Sequence, residues 1–418
     1  MRRILILLLL GSVGLLGDAI PLEEHSARRE RLRKEIDGGI LILMGSTEPE
    51  HGDLRTPFFQ ESNFQYLTGW SEPGAILVAA AGKETLFIPP RDEKRERWTG
   101  AKADPHGSRI QELTGFTDVR PAGSFEADLP GLVEGAGTIY TLLDEPYSEK
   151  LRALLPLRPF DDAAGVIGRL RMKKSAAELA LLRRSIEVTI EAHRAAWKRM
   201  EPGLYEYQIA ATMSNVYFDA GCGRHAYAPI VGSGPNSVIL HYSRNSRRID
   251  AGELVLMDAG AECAHYAADI TRTVPVTGKF SKRQREIYKI VLGAQAAVIA
   301  AVKPGMSLGR SGSNSLYTIG YDYINSHGKD RNGERLGQYF THGIGHHVGL
   351  DVHDANDPSE ALAAGMVITI EPGIYIPEEN IGIRIEDMVL VTGDGAQVLT
   401  PDLPREIRDI ERAVRKGS

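Results

Sequence analysis

Short apolar runs alternate with polar stretches along the first third of the chain. Three of these runs are ILILM at 40–44, AILVAAA at 75–81 and ETLFIPP at 84–90. Runs of this length and composition, bounded by proline and glycine, are typical of strands. The charged run RDEKRER at 91–97 alternates in sign and indicates a solvated face. We therefore expect a small mixed α/β domain that spans residues 20–165.

A helical pattern begins at Ser175. Ser175 and Glu178 have the S-x-x-E spacing of a capping box, in which each side chain accepts a hydrogen bond from the other residue's backbone N–H. The residues that follow at steps of three and four, and so share one face, are Leu179, Leu182, Ile186, Ile190, His193 and Trp197. A lone histidine on such a face is typical of a packed core, so His193 is a weak candidate for a ligand. The helix should end before Pro202, and a second helix should begin near Tyr205.

Another helix and a set of strands follow. Ser281 and Gln284 repeat the capping-box spacing, and the apolar pattern behind them predicts a helix that runs to Lys303. Two later segments, 366–376 and 381–392, are rich in β-branched residues that alternate with polar ones, as in strands. Residues 166–418 should therefore form a larger α/β domain with long helices and an antiparallel sheet.

Length and charge narrow the classes of function. A chain of 418 residues exceeds one ordinary hydrophobic core and fits two domains. Apolar residues make up 42% of the chain, as in a globular protein, and the formal net charge is −6. Nucleic-acid binding depends on clustered basic residues that face phosphates, so we expect no nucleic-acid partner.

The N-terminus resembles a targeting segment. The sequence MRRILILLLLGSVGLLGDAIP has two arginines, an apolar run from Ile4 to Leu16, and small residues before a cleavage point after Ala19. These features predict a secretory signal peptide over residues 1–19 and a periplasmic or secreted protein. A cytoplasmic location is the less favoured alternative. The 13-residue run is shorter than the roughly 20 residues that span a bilayer, so we expect no stable membrane anchor.

The chain has two cysteines, Cys222 and Cys263. Two thiols are too few for a disulfide framework or for a structural zinc site. The sequence leaves open whether they form one bridge or remain two buried thiols.

Four carboxylates occupy positions where a carboxylate is costly. Asp258 ends the apolar run LVLM, Asp269 lies in YAADITRTVPV, Glu371 ends VITI and Glu386 lies in IRIED. A buried acid needs a cation, a proton or good donors. Several acids in one domain indicate a shared partner, and hard oxygen ligands with an imidazole suit manganese, zinc, cobalt or iron. Arg384, two residues before Glu386, should share its strand face.

The stretch THGIGHHVGLDVHD at 341–354 supplies the imidazole. Glycines between His342 and His346 disfavour a helix and favour an extended or looped segment that brings the backbone close to its neighbours. In such a segment His342, His346 and His353 can face one cavity, while His347 points away and is structural. His241, after the apolar run VIL, is a further candidate for a cleft.

Two other motifs carry weaker signals. Residues 305–309 match G-x-S-x-G, but a nucleophile elbow follows a strand, whereas a helical, alanine-rich run precedes this one. The glycines at 343, 345 and 349 are similar to a dinucleotide loop, but the third comes one position late. We therefore favour neither a serine hydrolase nor a nucleotide-binding site.

Five motifs in this order resemble the pita-bread metallopeptidases, and most closely the aminopeptidase P (Xaa-Pro aminopeptidase) branch with its relative prolidase. They are LVLMDAG, ADITRT, THGIGHHVGLDVHD, TIEPGIY and GIRIED. The segments NFQYLTGW at 63–70 and RMKKSAAELALLRRS at 171–185 are similar to that family's N-terminal domain and its junction, so the resemblance spans nearly the whole chain. It implies an N-terminal mixed α/β domain followed by a C-terminal pita-bread domain.

The resemblance also implies roles for ten site residues and places Tyr375 beside one of them. The metal ligands would be Asp258, Asp269, His346, Glu371 and Glu386, which hold two divalent ions, usually manganese, with Asp269 and Glu386 as bridges. Two ions of this kind lower the pKa of a water and polarise the scissile carbonyl, while Glu371 takes up the proton and passes it to the leaving proline nitrogen. The remaining matches are His241, His342 and His353 in the substrate cleft, Tyr227 near the metals, and Arg384, with Tyr375 beside it, as a brace for the ligands.

The expected reaction is removal of an N-terminal residue that precedes proline. Alternatives from the same fold are a prolidase, which cleaves only Xaa-Pro dipeptides, an inactive binding scaffold, and a creatinase-type enzyme that lacks the metal ligands. All five ligand positions are filled, which argues against the last two. Two departures affect the cleft: a short connection between EPGIYIP and GIRIED, and His347-Val348 where some relatives have tryptophan. We expect a homodimer or homotetramer.

Overall fold

The computed structural model describes residues 19–48 and 57–415. Apart from Ala19, the predicted signal peptide lies outside the described residues. Among those that are described, no helix is long and apolar enough to cross a membrane.

The N-terminal part is built on a mixed six-stranded sheet. Its strands are β1 (Ile40–Met44), β2 (Ile76–Ala80), β3 (Lys83–Ile88), β4 (Asp118–Pro121), β5 (Ile139–Thr141) and β6 (Phe160–Asp162). The order is β4-β3-β2-β1-β5-β6, with β1 to β3 antiparallel and the outer pairs parallel. The three predicted strands are confirmed as β1, β2 and β3.

Helices cover this sheet and the surface beside it. They are α1 (Leu22–Glu35), α2 (Ser62–Thr68), α3 (Glu93–Thr99), α4 (Ile110–Thr114), α5 (Phe125–Leu132), α6 (Tyr147–Leu154) and α7 (Ala163–Met172). Helix α3 contains most of the charged run and buries none of its residues, which confirms the predicted solvated face.

Long helices frame the C-terminal part. They are α8 (Ala176–Arg199), α9 (Glu206–Asp219), α10 (Lys282–Ala301), α11 (Leu316–His327) and α12 (Ile407–Arg415). Both predicted capping boxes, at Ser175 and at Ser281, are present. His193 is fully buried on α8 with Nε2 3.1 Å from the carbonyl oxygen of Ile270, so it is a core residue as expected.

The described strands of this part pair in antiparallel fashion. They are β7 (Arg224–His225), β8 (Ile230–Ser233), β9 (Leu254–Ala259), β10 (Ala261–Cys263), β11 (Tyr266–Ala267), β12 (Ile270–Pro275), β13 (Val367–Ile370), β14 (Gly373–Ile376), β15 (Ile381–Arg384), β16 (Asp387–Val391) and β17 (Ala396–Val398). Together with the helices they confirm the α/β class.

Each of the two long strand patterns divides into two strands. The first breaks at Glu371 and Pro372, and the second breaks at Ile385 and Glu386. On one side of the breaks β13 pairs with β16, and on the other side β14 pairs with β15. The chain therefore crosses between two sheets at two adjacent points, and a glutamate lies at each crossing.

An ionic cluster joins the N-terminal part to the histidine-bearing segment. Ser62 on α2 donates a hydrogen bond to Asp351 at 2.7 Å, and the buried Arg171 on α7 contacts Asp351 at 2.7 Å and Asp354 at 2.5 Å. Lys174 donates to the second oxygen of Asp354 at 2.6 Å. Burial opposes ionisation of Asp354, but Lys174 and Arg171 outweigh it and lower its pKa to about 2.

Cys222 and Cys263 form a disulfide, with Cα atoms 4.3 Å apart. The bridge connects the turn after α9 to β10, and β10 pairs with β7. It thus lies beside the segment that leads into Tyr227, which follows β7 by two residues.

Candidate metal centre

A cavity of about 470 Å³ opens between the antiparallel strands and the histidine-bearing segment. All ten predicted site residues line it: Tyr227, His241, Asp258, Asp269, His342, His346, His353, Glu371, Arg384 and Glu386. His347 does not; it is buried, and its backbone pairs with Ile368, as a structural residue would.

The four carboxylates lie at or next to the ends of strands. Asp258 lies on β9 opposite Thr271 of β12, and Asp269 lies two residues before Thr271, so both acids face the same side of this pair. Glu371 and Glu386 come from the crossing points after β13 and after β15. All four side chains are mostly buried.

Asp269, His346 and Glu386 form the tightest group. One ligand atom from each lies within 4.8 Å of the other two, which is a spacing that can hold a metal ion. Nε2 of His346 is 3.3 Å from Asp269 and 3.6 Å from Glu371. Its Nδ1 lies 3.0 Å from the carbonyl oxygen of His347, a contact that only an N–H can make. The lone pair of a neutral His346 is thereby directed from Nε2 towards the carboxylates, as in metal-binding histidines.

The charges of this group favour a cation. Burial and the neighbouring carboxylates raise the pKa of Glu386 well above its usual range, and burial raises the pKa of Glu371 to about 7. Burial opposes protonation of His346, but Asp269 and Glu371 outweigh it and raise its pKa to about 9. Without a metal, the group therefore binds protons that reduce its negative charge. A multivalent cation would neutralise the same carboxylates.

An unpaired buried atom supports the same conclusion. Oε1 of Glu386 is buried without a hydrogen-bond partner among the described residues, whereas Oε2 accepts from Thr271 at 2.7 Å. Leaving a buried carboxylate oxygen unpaired costs free energy. Oxygen donors with one imidazole are the ligand set of manganese, iron, cobalt or zinc, so the residues fit a divalent metal.

Asp258 lies in a different environment from that group. Arg384 donates to one of its oxygens at 2.5 Å, and the hydroxyl of Tyr227 contacts the other. Arg384 is held in turn by Tyr375 at 2.7 Å and by Thr271 at 3.1 Å. Burial raises the pKa of Asp258 despite the arginine. Arg384 thus braces one of the predicted ligands, as the resemblance implied, and offsets its negative charge.

The Tyr227 hydroxyl also lies 2.5 Å from Asp269. A phenol has one proton and can donate to only one carboxylate at a time. Burial, followed by the two acids, raises the pKa of Tyr227 well above its usual range, so the hydroxyl stays protonated.

The three cleft histidines differ in their partners. Nδ1 of His342 lies 2.8 Å from the carbonyl oxygen of Gly343 and so carries the proton, while Nε2 accepts from the Tyr375 hydroxyl at 2.8 Å. Burial, then Arg384, lowers the pKa of His342 to about 3 and keeps the ring neutral. His353 and His241 are exposed along the cavity wall, and the ring of His353 lies 4.1 Å from that of His346.

The segment 341–354 is extended and looped, as predicted. A Cβ on Gly345 would lie 2.0 Å from the Thr369 carbonyl oxygen, so glycine permits the close approach to β13. A Cβ on Gly349 would meet Asp354 at 2.2 Å. Gly343 is different: its nearest neighbour is 4.0 Å away, so a close approach does not explain it.

Glu206 organises the loop that carries His241 but has no sequence signal. It is fully buried and accepts from Ser233 N at 2.7 Å, from the Tyr242 hydroxyl at 2.8 Å and from Arg247 N at 2.8 Å. A glutamate in the first turn of a helix is ordinary, so its position in the sequence does not distinguish it.

Comparison with known proteins places these features among peptidases. The profile of metallopeptidase family M24 matches residues 180–393, and that of the aminopeptidase P N-terminal domain matches residues 25–140. The Xaa-Pro aminopeptidase of Haemophilus influenzae is 34% identical over 427 residues, which cover 94% of this chain and 97% of the relative.

Two solved structures are similar throughout. Aminopeptidase PepP from Pseudomonas aeruginosa is 33% identical with a TM-score of 0.87. Aminopeptidase P from E. coli with the inhibitor Pro-Leu is 30% identical, also with a TM-score of 0.87. In each case the match covers 96% of this chain and 99% of the other.

Proposed function

The chain belongs to metallopeptidase family M24, with the pita-bread architecture of aminopeptidase P, and on this basis we propose that it removes the N-terminal residue from peptides with proline in second position. The observation that carries the proposal is the group of Asp269, His346 and Glu386, with its unpaired Glu386 oxygen, at the base of the cavity. Relatives named Xaa-Pro aminopeptidase over nearly their full length support the substrate class.

We propose that two divalent ions, most simply Mn²⁺ with Zn²⁺, Co²⁺ or Fe²⁺ as alternatives, occupy this site. The residues that would hold them are Asp258, Asp269, His346, Glu371 and Glu386. When bound, such ions lower the pKa of a water and polarise the scissile carbonyl. The donor set of carboxylates and one imidazole supports a metal of this group over a thiolate-preferring one.

The protein's own groups then handle the proton. The carboxylate of Glu371 accepts a proton from the attacking water and delivers it to the proline nitrogen as the bond breaks. His342, neutral and bonded at both nitrogens, fixes the Tyr375 hydroxyl, which in turn fixes Arg384. His241 and His353 line the open wall of the cavity, where they contact the peptide.

Peptide length separates an aminopeptidase from a prolidase. The test is cleavage of Xaa-Pro-Yaa and of Xaa-Pro by the same preparation, with and without Mn²⁺. We expect the tripeptide to be cleaved and the dipeptide to be the poorer substrate. Cleavage of the dipeptide alone would identify a prolidase.

We also propose that the chain is exported and cleaved after Ala19. An apolar run from Ile4 to Leu16, followed by small residues at 17 and 19, has the pattern that a signal peptidase recognises. The disulfide between Cys222 and Cys263 supports an oxidising compartment, where such bridges persist. N-terminal sequencing of the protein from its native host tests this: a chain that starts at Ile20 supports export, and an intact Met1 contradicts it.

Self-association is a further proposal. Three large apolar side chains of the N-terminal part are exposed, namely Trp98 at 89%, Leu113 at 56% and Leu157 at 96%. Association of two chains would remove such side chains from water, which is favourable. We propose a homodimer or homotetramer, and light scattering that gives the mass of a single chain would contradict it.

A further inference from the structure

A row of aromatic rings leads from the surface to the cavity. The rings of Tyr317 and Phe340 are stacked with centroids 5.1 Å apart, and Phe340 meets the ring of His342 edge-on at 5.2 Å. At the outer end, the guanidinium of Arg310 lies 5.3 Å from the Tyr317 ring centroid. It also donates a hydrogen bond to the carbonyl oxygen of Thr341 at 3.2 Å. Arg310 is therefore held beside the backbone that leads into His342.

The charge of Arg310 is available to a ligand. The residue is exposed, and no described carboxylate lies within ion-pair distance of it. A guanidinium has five N–H donors, and the hydrogen bond to Thr341 uses one of them. Arg384 and Arg171, by contrast, are buried and committed to carboxylates of the protein.

The loop that carries Arg310 is otherwise uncharged. Its sequence, GMSLGRSGSN at 305–314, contains no acid, and Arg310 is its single charged residue. The interior of the cavity holds four carboxylates. The acids thus lie inside the cavity, and Arg310 lies outside its lining, bonded to the residue that precedes the lining residue His342. A short peptide has the complementary arrangement, because its N-terminus is an ammonium and its C-terminus a carboxylate.

We propose that Arg310 binds the C-terminal carboxylate of short peptide substrates and so sets a preference for tripeptides and other short chains with a free carboxyl end. The inference rests on the proposed function. His342 lies between the acids and Arg310. Its ring is 3.8 Å from Glu371, and the residue before it, Thr341, accepts a hydrogen bond from Arg310 through its carbonyl oxygen. Two residues beyond the cleaved bond place the carboxylate of a peptide roughly 7 Å from that bond. Arginine suits this task because its planar fork matches a carboxylate.

The test compares Xaa-Pro-Yaa with a free carboxyl end and the same peptide as a C-terminal amide. For the wild-type enzyme we expect kcat/KM for the acid to exceed that for the amide by about tenfold, chiefly through KM. Arg310→Ala should lower kcat/KM for the acid peptide to the value for the amide peptide, and it should leave kcat/KM for the amide peptide unchanged. Arg310→Lys should be intermediate, because a lysine retains the charge but not the fork.

The matched control is Arg408→Ala, an exposed arginine on α12 that does not line this cavity. This variant should leave the ratio of kcat/KM for the acid peptide to kcat/KM for the amide peptide at the wild-type value. A wild-type enzyme that cleaves acid and amide equally, or an Arg310→Ala variant that keeps the wild-type ratio, would overturn the inference. If neither peptide is cleaved, the proposed function itself fails, so the two failures are distinguishable.

Discussion

The hydroxyl of Tyr227 lies 2.5 Å from Oδ1 of Asp269, and the same hydroxyl contacts Asp258. One O–H thus connects two acids that come from neighbouring strands. The hydroxyl can donate to only one of them at a time. Arg384 also faces Asp258, and His346 also faces Asp269. This relationship links the tyrosine to the charge balance of the proposed metal site.

Tyr227→Phe should weaken catalysis while metal is retained, since the tyrosine is not among the proposed ligands. Loss of one hydrogen bond to a charged group predicts a fall in kcat/KM of about tenfold or more. The measurement is steady-state kinetics beside elemental analysis. Tyr217→Phe is the control, because the Tyr217 hydroxyl is buried without a hydrogen-bond partner among the described residues. Equal activity of Tyr227→Phe and wild type would contradict the role.

The metal-free protein should lose stability as pH rises from about 6.5 to 9. The pKa of Glu371 is raised from its ordinary value of 4.5 to about 7. The stability that its protonated carboxyl contributes is therefore present below pH 4.5 and is lost as pH rises through 7. The pKa of His346 is raised to about 9, so its contribution is present below its ordinary value of 6.5 and is lost as pH rises through 9.

Below pH 6.5 the buried His193 and His342, whose pKa values are lowered to about 3, act in the opposite sense, because their unfolded forms bind protons that the folded forms do not. The loss of stability should therefore be seen between about pH 6.5 and pH 9. Thermal unfolding after chelation should therefore show Tm falling across this window, and added Mn²⁺ should raise Tm most at its upper end, where fewer protons compete for the ligands. A metal-induced rise in Tm that is largest at low pH would be inconsistent with the assigned ligands.

Asp354→Asn should destabilise the protein by about 3 kcal/mol, because the buried Lys174 loses its carboxylate partner. The pKa of Asp354 is lowered to about 2, so the stability it provides is present above its unfolded value and is lost as pH falls through 2. The variant should lack this acid-dependent loss. Urea unfolding at several pH values measures both effects. Asp351→Asn is the control, since its side chain is 45% exposed and its ion pair should contribute less.

Glu206→Gln should raise KM more than it lowers metal content. An amide offers one acceptor oxygen where the carboxylate has two, and Glu206 receives hydrogen bonds from four residues of the 233–247 loop. The loop that carries His241 should then be less well ordered. Kinetics with Xaa-Pro-Yaa and elemental analysis test this, and an unchanged KM would argue against a positioning role.

Much of the secondary structure could be predicted because its signals are local. The capping boxes at Ser175 and Ser281 are complete within four residues. The breaks at Glu371 and Glu386 were not predicted, because β-branched residues continue on both sides of them, although Pro372-Gly373 beside the first is a local break signal. They arise because the chain changes pairing partners between two sheets, which no local pattern records.

The residues of the candidate site could be found from the sequence, but the residues that hold them in place could not. The carboxylates could be found from their costly positions after apolar runs, and the histidines from their spacing, while roles for them came from the resemblance. The partners that hold them could not be found. Arg171 lies 183 residues from Asp354, and Glu206 lies 36 residues from Tyr242, so only the fold brings these pairs together.

The central claim is metal-dependent cleavage before proline, and the most direct measurement is product analysis of Xaa-Pro-Yaa by mass spectrometry. The metal-loaded wild-type enzyme should release free Xaa and the dipeptide Pro-Yaa. Chelation should stop the reaction, and Glu371→Gln should slow it by about a thousandfold while the protein remains folded. Release of Xaa-Pro, full activity after chelation, or full activity of Glu371→Gln would contradict the account.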